Sequence, residues 1–343
     1  MRRSASPASA LVTQLVPALR SMDLVKAGVE GWWGDITHMV KLATGEVTYG
    51  DYSVGVPANL GAESCAVLAT YWVTFAIFLY FVDKYVLPPF SRFMVGDELS
   101  KDSEGGKTGT PLRVKYSIAV RELAFYAFST TVHIWLYALR HQWAWPSGFH
   151  LLYQHRDDIL VEREMRFTAF FETTWYMVTV VFLFMDFKRK DFAVMVAHHL
   201  ITIALIWTSW QPSHVHTGAV VIMLHNPSDV LLQLAKLCSY KAWAPFDTIF
   251  FVLLAISWPI LRLYAFPLFI KEAFTHEVLV ENWQPVNALG SWLLAALVPL
   301  HLYWFVLILK VIVKAVTGGG LKDNREEGDG VDSVKAKETK KTA

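Results

Sequence analysis

Two histidines stand side by side in the apolar run VAHHLIT at 196–202, and a third opens the polar part of MLHNPSDVLLQLAKL at 223–237. If the first run is helical, His198 and Thr202 are i, i+4 and share a face, while His199 is turned by about 100°. In the second run His225, Asp229 and Lys236 fall at i, i+4 and i+11 along one stripe, with Gln233 beside it. An aspartate in hydrocarbon costs about 2.5–3.5 kcal/mol or more unless it finds a partner. Asp229 is therefore expected to face inward, hydrogen-bonded to a histidine. A carboxylate that orients an imidazole is the arrangement that makes a histidine a base or a nucleophile. The plainer alternative, in which these side chains only hold two helices together, stays open on the pattern alone.

Other chemistries find less support. Membrane di-iron enzymes need several histidine boxes, and this chain has one HH plus His214 and His216 near a loop, so no metal site is expected. There is no Gly-rich phosphate loop and no GxSxG elbow. Cys65 and Cys238 lie far apart in sequence and cannot build a cysteine framework. The formal net charge of +1 names no polyanionic partner, and no nucleic acid is expected.

The elements that must position these residues are apolar helices. Of the 343 residues, 54% are apolar and 18% charged, against about 25% charged in a soluble domain. Most of the charge collects between long apolar stretches at about 65–82, 117–139, 167–185, 192–210, 215–237, 248–270 and 289–309. At about 1.5 Å per residue each can cross a core about 30 Å thick. The first should stop at Asp83, Lys84 and the Pro88-Pro89 pair. The expected fold is an all-α integral membrane protein of about seven transmembrane helices. It divides into an N-terminal extramembrane arm (1–64), a first transmembrane helix with a polar loop (65–116), a helix bundle (117–313) and a disordered cytosolic tail (314–343). Within the arm, Trp32 and Trp33 are expected to seat the chain at the interface. Residues 140–166 read as a loop or interfacial hairpin.

Lysines and arginines at 188–190, near 236–241 and beyond 310 alternate with poor loops at 211–214 and 271–288, which places the C-terminus in the cytosol. The four arginines of 140–166 fit that alternation less well. Lys340 and Lys341, fourth and third from the end, look like a dilysine retrieval address for the endoplasmic reticulum.

The runs KRKDF at 188–192, VAHHLIT and MLHNPSDVLLQLAKL, followed by LRLYAFP at 261–267, resemble the central signature of the ceramide synthases. These belong to the TLC superfamily, named for translocation, lipid sensing and ceramide synthesis. The resemblance covers about 115–313. It implies a barrel of six helices around a long lipid cavity, a seventh helix beside it, and transfer of an acyl group from a fatty acyl-CoA to the amine of a sphingoid base. On it, His198 and His199 match the catalytic pair and Asp229 the second of two aspartates. His225, Asn226, Thr202, Lys236 and Arg262 are supporting or substrate-binding. Acyl-CoA is a co-substrate and no cofactor is implied; membrane lipid, a homodimer or an accessory subunit are the further partners. The chain departs from the pattern where Asn226 replaces the first aspartate, Gln233 a glutamate and Ile118 an upstream glutamate, which removes negative charge near the site. A non-catalytic TLC protein that transports or senses lipid, or chaperones membrane proteins, is the alternative.

Overall fold

The computed structural model describes residues 22–47, 56–57, 61–95, 112–139, 149, 160–186, 189–210, 214–279 and 285–317. Among them the chain is almost wholly helical. Helix α1 is Met22–Thr44, α2 Ala62–Val95, α3 Leu112–Leu139, α4 Arg163–Met185, α5 Phe192–Ser209, α6 Val215–Tyr240, and α8 Pro285–Val316. Between the last two, α7 comprises Phe246–Trp258, a π-helical turn Pro259–Ala265, and Phe266–Glu277. Two residues of β1 (Val56–Pro57) pair antiparallel with two of β2 (Leu160–Val161).

Five of these helices, α2, α4, α5, α7 and α8, are long and apolar enough to cross a membrane. The protein is a multi-pass membrane protein by that criterion. The stretches expected as second and fifth spans also form helices, α3 of 28 residues and α6 of 26. They carry too many polar groups to count by composition, and they pack against each other. Polar groups that would be costly against lipid thus face protein. Glu122 of α3 accepts from Gln233 Nε2 of α6 at 2.6 Å, and Arg121 donates to Asp83 of α2 at 2.5 Å and to Asp186 at 2.9 Å.

The helix expected to end near Asp83 and Pro88-Pro89 continues to Val95. Proline lacks an N–H, and its ring clashes with the carbonyl four residues back. Here a π turn, Val82–Val86, precedes the prolines: the Leu87 N–H reaches Val82 O, five residues back, and the wider turn absorbs the defect. The charge of Asp83 is met by Arg121. The same device recurs in α7, where the Phe266 N–H reaches Leu261 O immediately before Pro267.

Helix α4 starts at Arg163, inside the stretch expected as a loop. Its first turn is fixed by α1: Asp35 accepts from Arg166 Nε and Nη2 at 2.9 and 2.6 Å and from Tyr71 of α2 at 3.1 Å, and His38 bonds Glu164 at 2.9 Å. Trp33 of α1 is exposed. The tail beyond 317, with Lys340 and Lys341, lies outside the described residues.

Contacts run in a circuit: α3 packs on α6, α6 on α7, α7 on α8, α8 on α5, α5 on α4, and α4 touches α3; α2 lies against α3 and α4. Between α3 and α4, Phe125 stacks on Trp175 with ring centroids 4.0 Å apart. Helices α3 to α8 surround the space that holds the histidines.

Candidate active site

That space is two cavities laid end to end. The larger, about 1740 Å³ including its open mouth, takes the N-terminal half of α5 (Phe192 to His199) and the C-terminal half of α6 (Asp229 to Tyr240). The smaller, about 820 Å³ again including its open mouth, takes the opposite halves, His198 to Ser209 of α5 and, with His214 just before it, Thr217 to Asp229 of α6. Four side chains, Tyr176, His198, Asp229 and Arg262, line both. They form the wall between the two. Of the other residues expected at the site, His199 and Lys236 face the larger cavity, and Thr202 and His225 the smaller. Asn226 lines neither and sits in a separate polar cluster between α3, α4 and α6.

The imidazoles are held differently. His199 bonds the carbonyl of Met195 through Nδ1 at 2.8 Å, and His225 bonds that of Val221 through Nδ1 at 2.6 Å. Carbonyls only accept, so in both rings Nδ1 carries the hydrogen and Nε2 keeps the lone pair. The Nε2 of His225 is already taken, lying 3.1 Å from Nε2 of His301 on α8. Since His225 accepts there, His301 donates, and the pair is closed to substrate. His199 keeps its lone pair available.

His198 makes no such bond. Its own carbonyl accepts from Thr202 Oγ1 at 2.8 Å, and its buried Nδ1 has no hydrogen-bond partner among the described residues. The ring is placed by aromatic packing instead: edge-on to Trp304 of α8 with centroids 5.2 Å apart, to His199 at 5.7 Å and to Tyr176 at 6.4 Å. Trp304 is itself fixed, its Nε1 donating to Asp191 Oδ2 at 3.0 Å.

Asp229 was expected to meet a histidine; the structure gives it an arginine. Arg262 Nη2 donates to Asp229 Oδ2 at 2.7 Å and to the His225 carbonyl at 3.0 Å. Its guanidinium lies 3.9 Å from the centroid of the Trp258 ring. Arg262 comes from the π turn of α7, which turns this one long side chain toward α6. Its Nε is buried without a partner among the described residues, and the side chain lines the same cavity as His198.

Residues 115–310, more than half of the chain, match the family profile described as the TLC domain. The chain belongs to the TLC-domain family. Among curated relatives, Ceramide synthase 1 LOH3 of Arabidopsis thaliana is 26% identical over 285 residues, 78% of this chain and 91% of the relative. ASC1-like protein 3 of Oryza sativa is 25% identical over 248 residues, covering 70% and 86%. Ceramide synthase 5 of Homo sapiens is 34% identical over 162 residues, covering 46% and 40%.

In this TLC-domain protein the two neutral replacements stand beside carboxylates from other helices. Gln233 donates to Glu122, and Asn226 Nδ2 lies 3.5 Å from Glu172 Oε1 and donates to Ser129 Oγ at 2.7 Å. Ser129 also donates to Glu172. The TLC domain of this chain therefore keeps acidic groups at both places, on α3 and α4 rather than α6. Sequence reasoning missed Tyr176, Trp304 and His301. A histidine and a tryptophan three residues apart in the otherwise uncharged stretch 289–309 were the available signal for the last two.

Proposed function

We propose that this TLC-domain protein is a sphingoid-base N-acyltransferase that forms a ceramide from a fatty acyl-CoA and a long-chain base. One observation carries the proposal: an imidazole whose buried Nδ1 has no hydrogen-bond partner among the described residues, His198, stands in the wall between two cavities together with a fixed cation. An acyl-CoA has a polar half and an apolar half joined at the thioester, and the two cavities offer a place to each. The larger has Arg189 and Lys236 among its lining residues for the phosphates, and the smaller takes the tail, so the thioester lies at the wall.

His198 attacks the thioester carbonyl, the C–S bond breaks, and the acyl group rests on the imidazole while CoA leaves as thiolate. The amine then attacks, the imidazole leaves, and the amide forms. Splitting the transfer this way replaces one difficult step by two easier ones. The Arg262 Nε–H and its cation stabilise the charge that develops on the carbonyl oxygen. Nε2 of His199 takes the proton released by the amine and returns it to the thiolate. Asp229 acts through Arg262, fixing the cation in the wall.

The proposal extends to the membrane. Helices α3 and α6, at about 1.5 Å per residue, are long enough for a core about 30 Å thick. They complete seven spans with the five apolar helices. The circuit α3 to α8 is then the six-helix barrel, with α2 beside it. The protein acts in the endoplasmic reticulum membrane with its C-terminus in the cytosol.

The test is release of CoA thiol by purified protein given acyl-CoA and a long-chain base. His198→Ala abolishes release while the protein stays folded. Intact-protein mass spectrometry after acyl-CoA alone shows an acyl adduct that disappears when base is added. If no adduct ever accumulates and His198→Ala keeps near-full activity, direct attack by the amine with His199 as base replaces this scheme. A protein that never releases thiol belongs instead with TLC proteins that only hold or move lipid.

A further inference from the structure

Resting on the transfer reaction above, we propose that the hydroxyl of Tyr176 is a second donor to the thioester carbonyl, facing Arg262 across the wall. Of the four side chains that line both cavities, three already have work. His198 attacks, and Arg262 and Asp229 hold each other at 2.7 Å. Tyr176 is the fourth. It is 4% exposed, and its hydroxyl makes no hydrogen bond among the described residues. Packing accounts for the ring, which lies edge-on to His199 with centroids 5.5 Å apart and to His198 at 6.4 Å. A phenylalanine would pack the same way. A buried phenol with nothing to bond is costly, and a ligand in the cavities it lines is what can supply the partner.

The placement of the helices says which atom of the ligand that is. In the circuit α4 and α7 stand opposite each other, with α5 next to α4. Tyr176 comes from α4, Arg262 from α7 and His198 from α5. The Tyr176 hydroxyl lies in the field of both Asp229 and Arg262, so it is turned toward that pair. A carbonyl presented to His198 at the wall therefore has an N–H donor on one flank, Arg262 Nε, and an O–H donor on the other. When His198 attacks, the carbonyl oxygen takes up a negative charge with three lone pairs to satisfy. Donors fixed in place before the reaction stabilise that charge without reorganising. A phenol titrates near about pH 10 in water, so at neutral pH it donates a hydrogen bond and keeps its proton. As the C–S bond breaks and CoA leaves as thiolate, the oxygen becomes a carbonyl again and both bonds relax. The same two donors serve the later attack of the amine on the acyl-imidazole.

The experiment compares the native protein with Tyr176→Phe, which deletes one oxygen and keeps the ring against both histidines. With acyl-CoA alone, and equally with base present, thiol release slows by about 10²–10³-fold, the scale of one lost oxyanion donor. Affinity for a thioether analogue of acyl-CoA, which has no carbonyl, and the KM for the long-chain base stay within about twofold, because the bond is made only as charge develops. A second measurement needs no turnover. It uses a ketone analogue, with a methylene in place of the thioester sulfur and an isotope-labelled carbonyl. The stretching band of that carbonyl in the native complex lies below its position in hydrocarbon solvent and moves back up in Tyr176→Phe. Fluorotyrosine incorporated at 176, a stronger donor of nearly the same shape, moves the band the other way and serves if the phenylalanine variant does not fold. Thiol release at the native rate in Tyr176→Phe, or an unmoved band, overturns the assignment. A loss confined to a raised KM for the base puts the hydroxyl on the amine and overturns it too. The two proposals fail separately: a shifted band in a protein that never releases thiol leaves Tyr176 as a carbonyl donor and removes the transfer reaction, whereas native-rate release from Tyr176→Phe does the reverse.

Discussion

Replacing Arg262 by leucine tests whether the wall between the cavities is held by charge. Arg262 is 3% exposed and Asp229 18%, so removing the cation leaves a carboxylate mostly out of water. Breaking a buried pair from one side costs about 3–5 kcal/mol, because the remaining charge is uncompensated. The lost contact with Trp258 adds about 1–2 kcal/mol where the cation is desolvated. At roughly 2–4 °C per kcal/mol for a chain of a few hundred residues, the melting temperature falls by on the order of 10 °C. Arg262→Lys restores the charge without the planar stacking on Trp258 and lands between the two. The decisive comparison is Arg262→Leu with Asp229→Asn together: with no stranded charge on either side, the double variant melts above both singles. The assay is fluorescence-detected size exclusion after heating in detergent. A double variant no more stable than Arg262→Leu alone, or a single that melts within about 1 °C of the native protein, refutes the argument.

Asp229→Asn also slows transfer by roughly 10²–10⁴-fold per folded molecule, the scale of lost acid–base or charge assistance, measured as thiol release normalised to monodisperse protein. Glu172→Ala strands the Ser129 and Asn226 side chains in a buried cluster and costs about 1–3 kcal/mol, whereas Glu172→Gln keeps an acceptor and costs less; equal losses in a thermal melt would remove that distinction. Serine at Lys340 and Lys341 releases the protein from the endoplasmic reticulum to later compartments, visible by imaging, and an unchanged distribution ends the retrieval argument.

The helices and the histidine pair were legible because their signals are local. VAHHLIT is polar where its neighbours are apolar, and His225 and Asp229 share a stripe within one helix. What the sequence hides is which distant group answers each of them. Asp229 and Arg262 were both singled out, yet nothing in a linear reading pairs residues on different helices, and a histidine looked the natural partner. Trp304 and His301 come from a helix with no charge in its central stretch, where a tryptophan reads as packing. The neutral Asn226 and Gln233 suggested a loss of charge, since Glu172 and Glu122 meet them only through tertiary contact. Pro88 and Pro89 were read as the end of a helix that in fact continues to Val95, because a π turn that absorbs them leaves no mark in composition.

The pairing of α3 with α6 also bears on how the chain enters the membrane. About a hundred residues separate the end of α3 from the end of α6, which at ribosomal speeds of 5–20 residues per second is a delay of roughly 5–20 s. For nearly all of it Gln233 has not been made, and Arg189, which also answers Glu122 in the finished protein, appears only about halfway through. Asp83 is there from the start: it precedes Arg121 in synthesis and reaches it at 2.5 Å. Helices α2 and α3 can therefore leave the insertion machinery as a hairpin whose arginine is already neutralised, with α6 arriving later to cover the rest. Asp83 is then an assembly residue. Its replacement shows in the yield of inserted protein and leaves the turnover of the molecules that do assemble largely untouched.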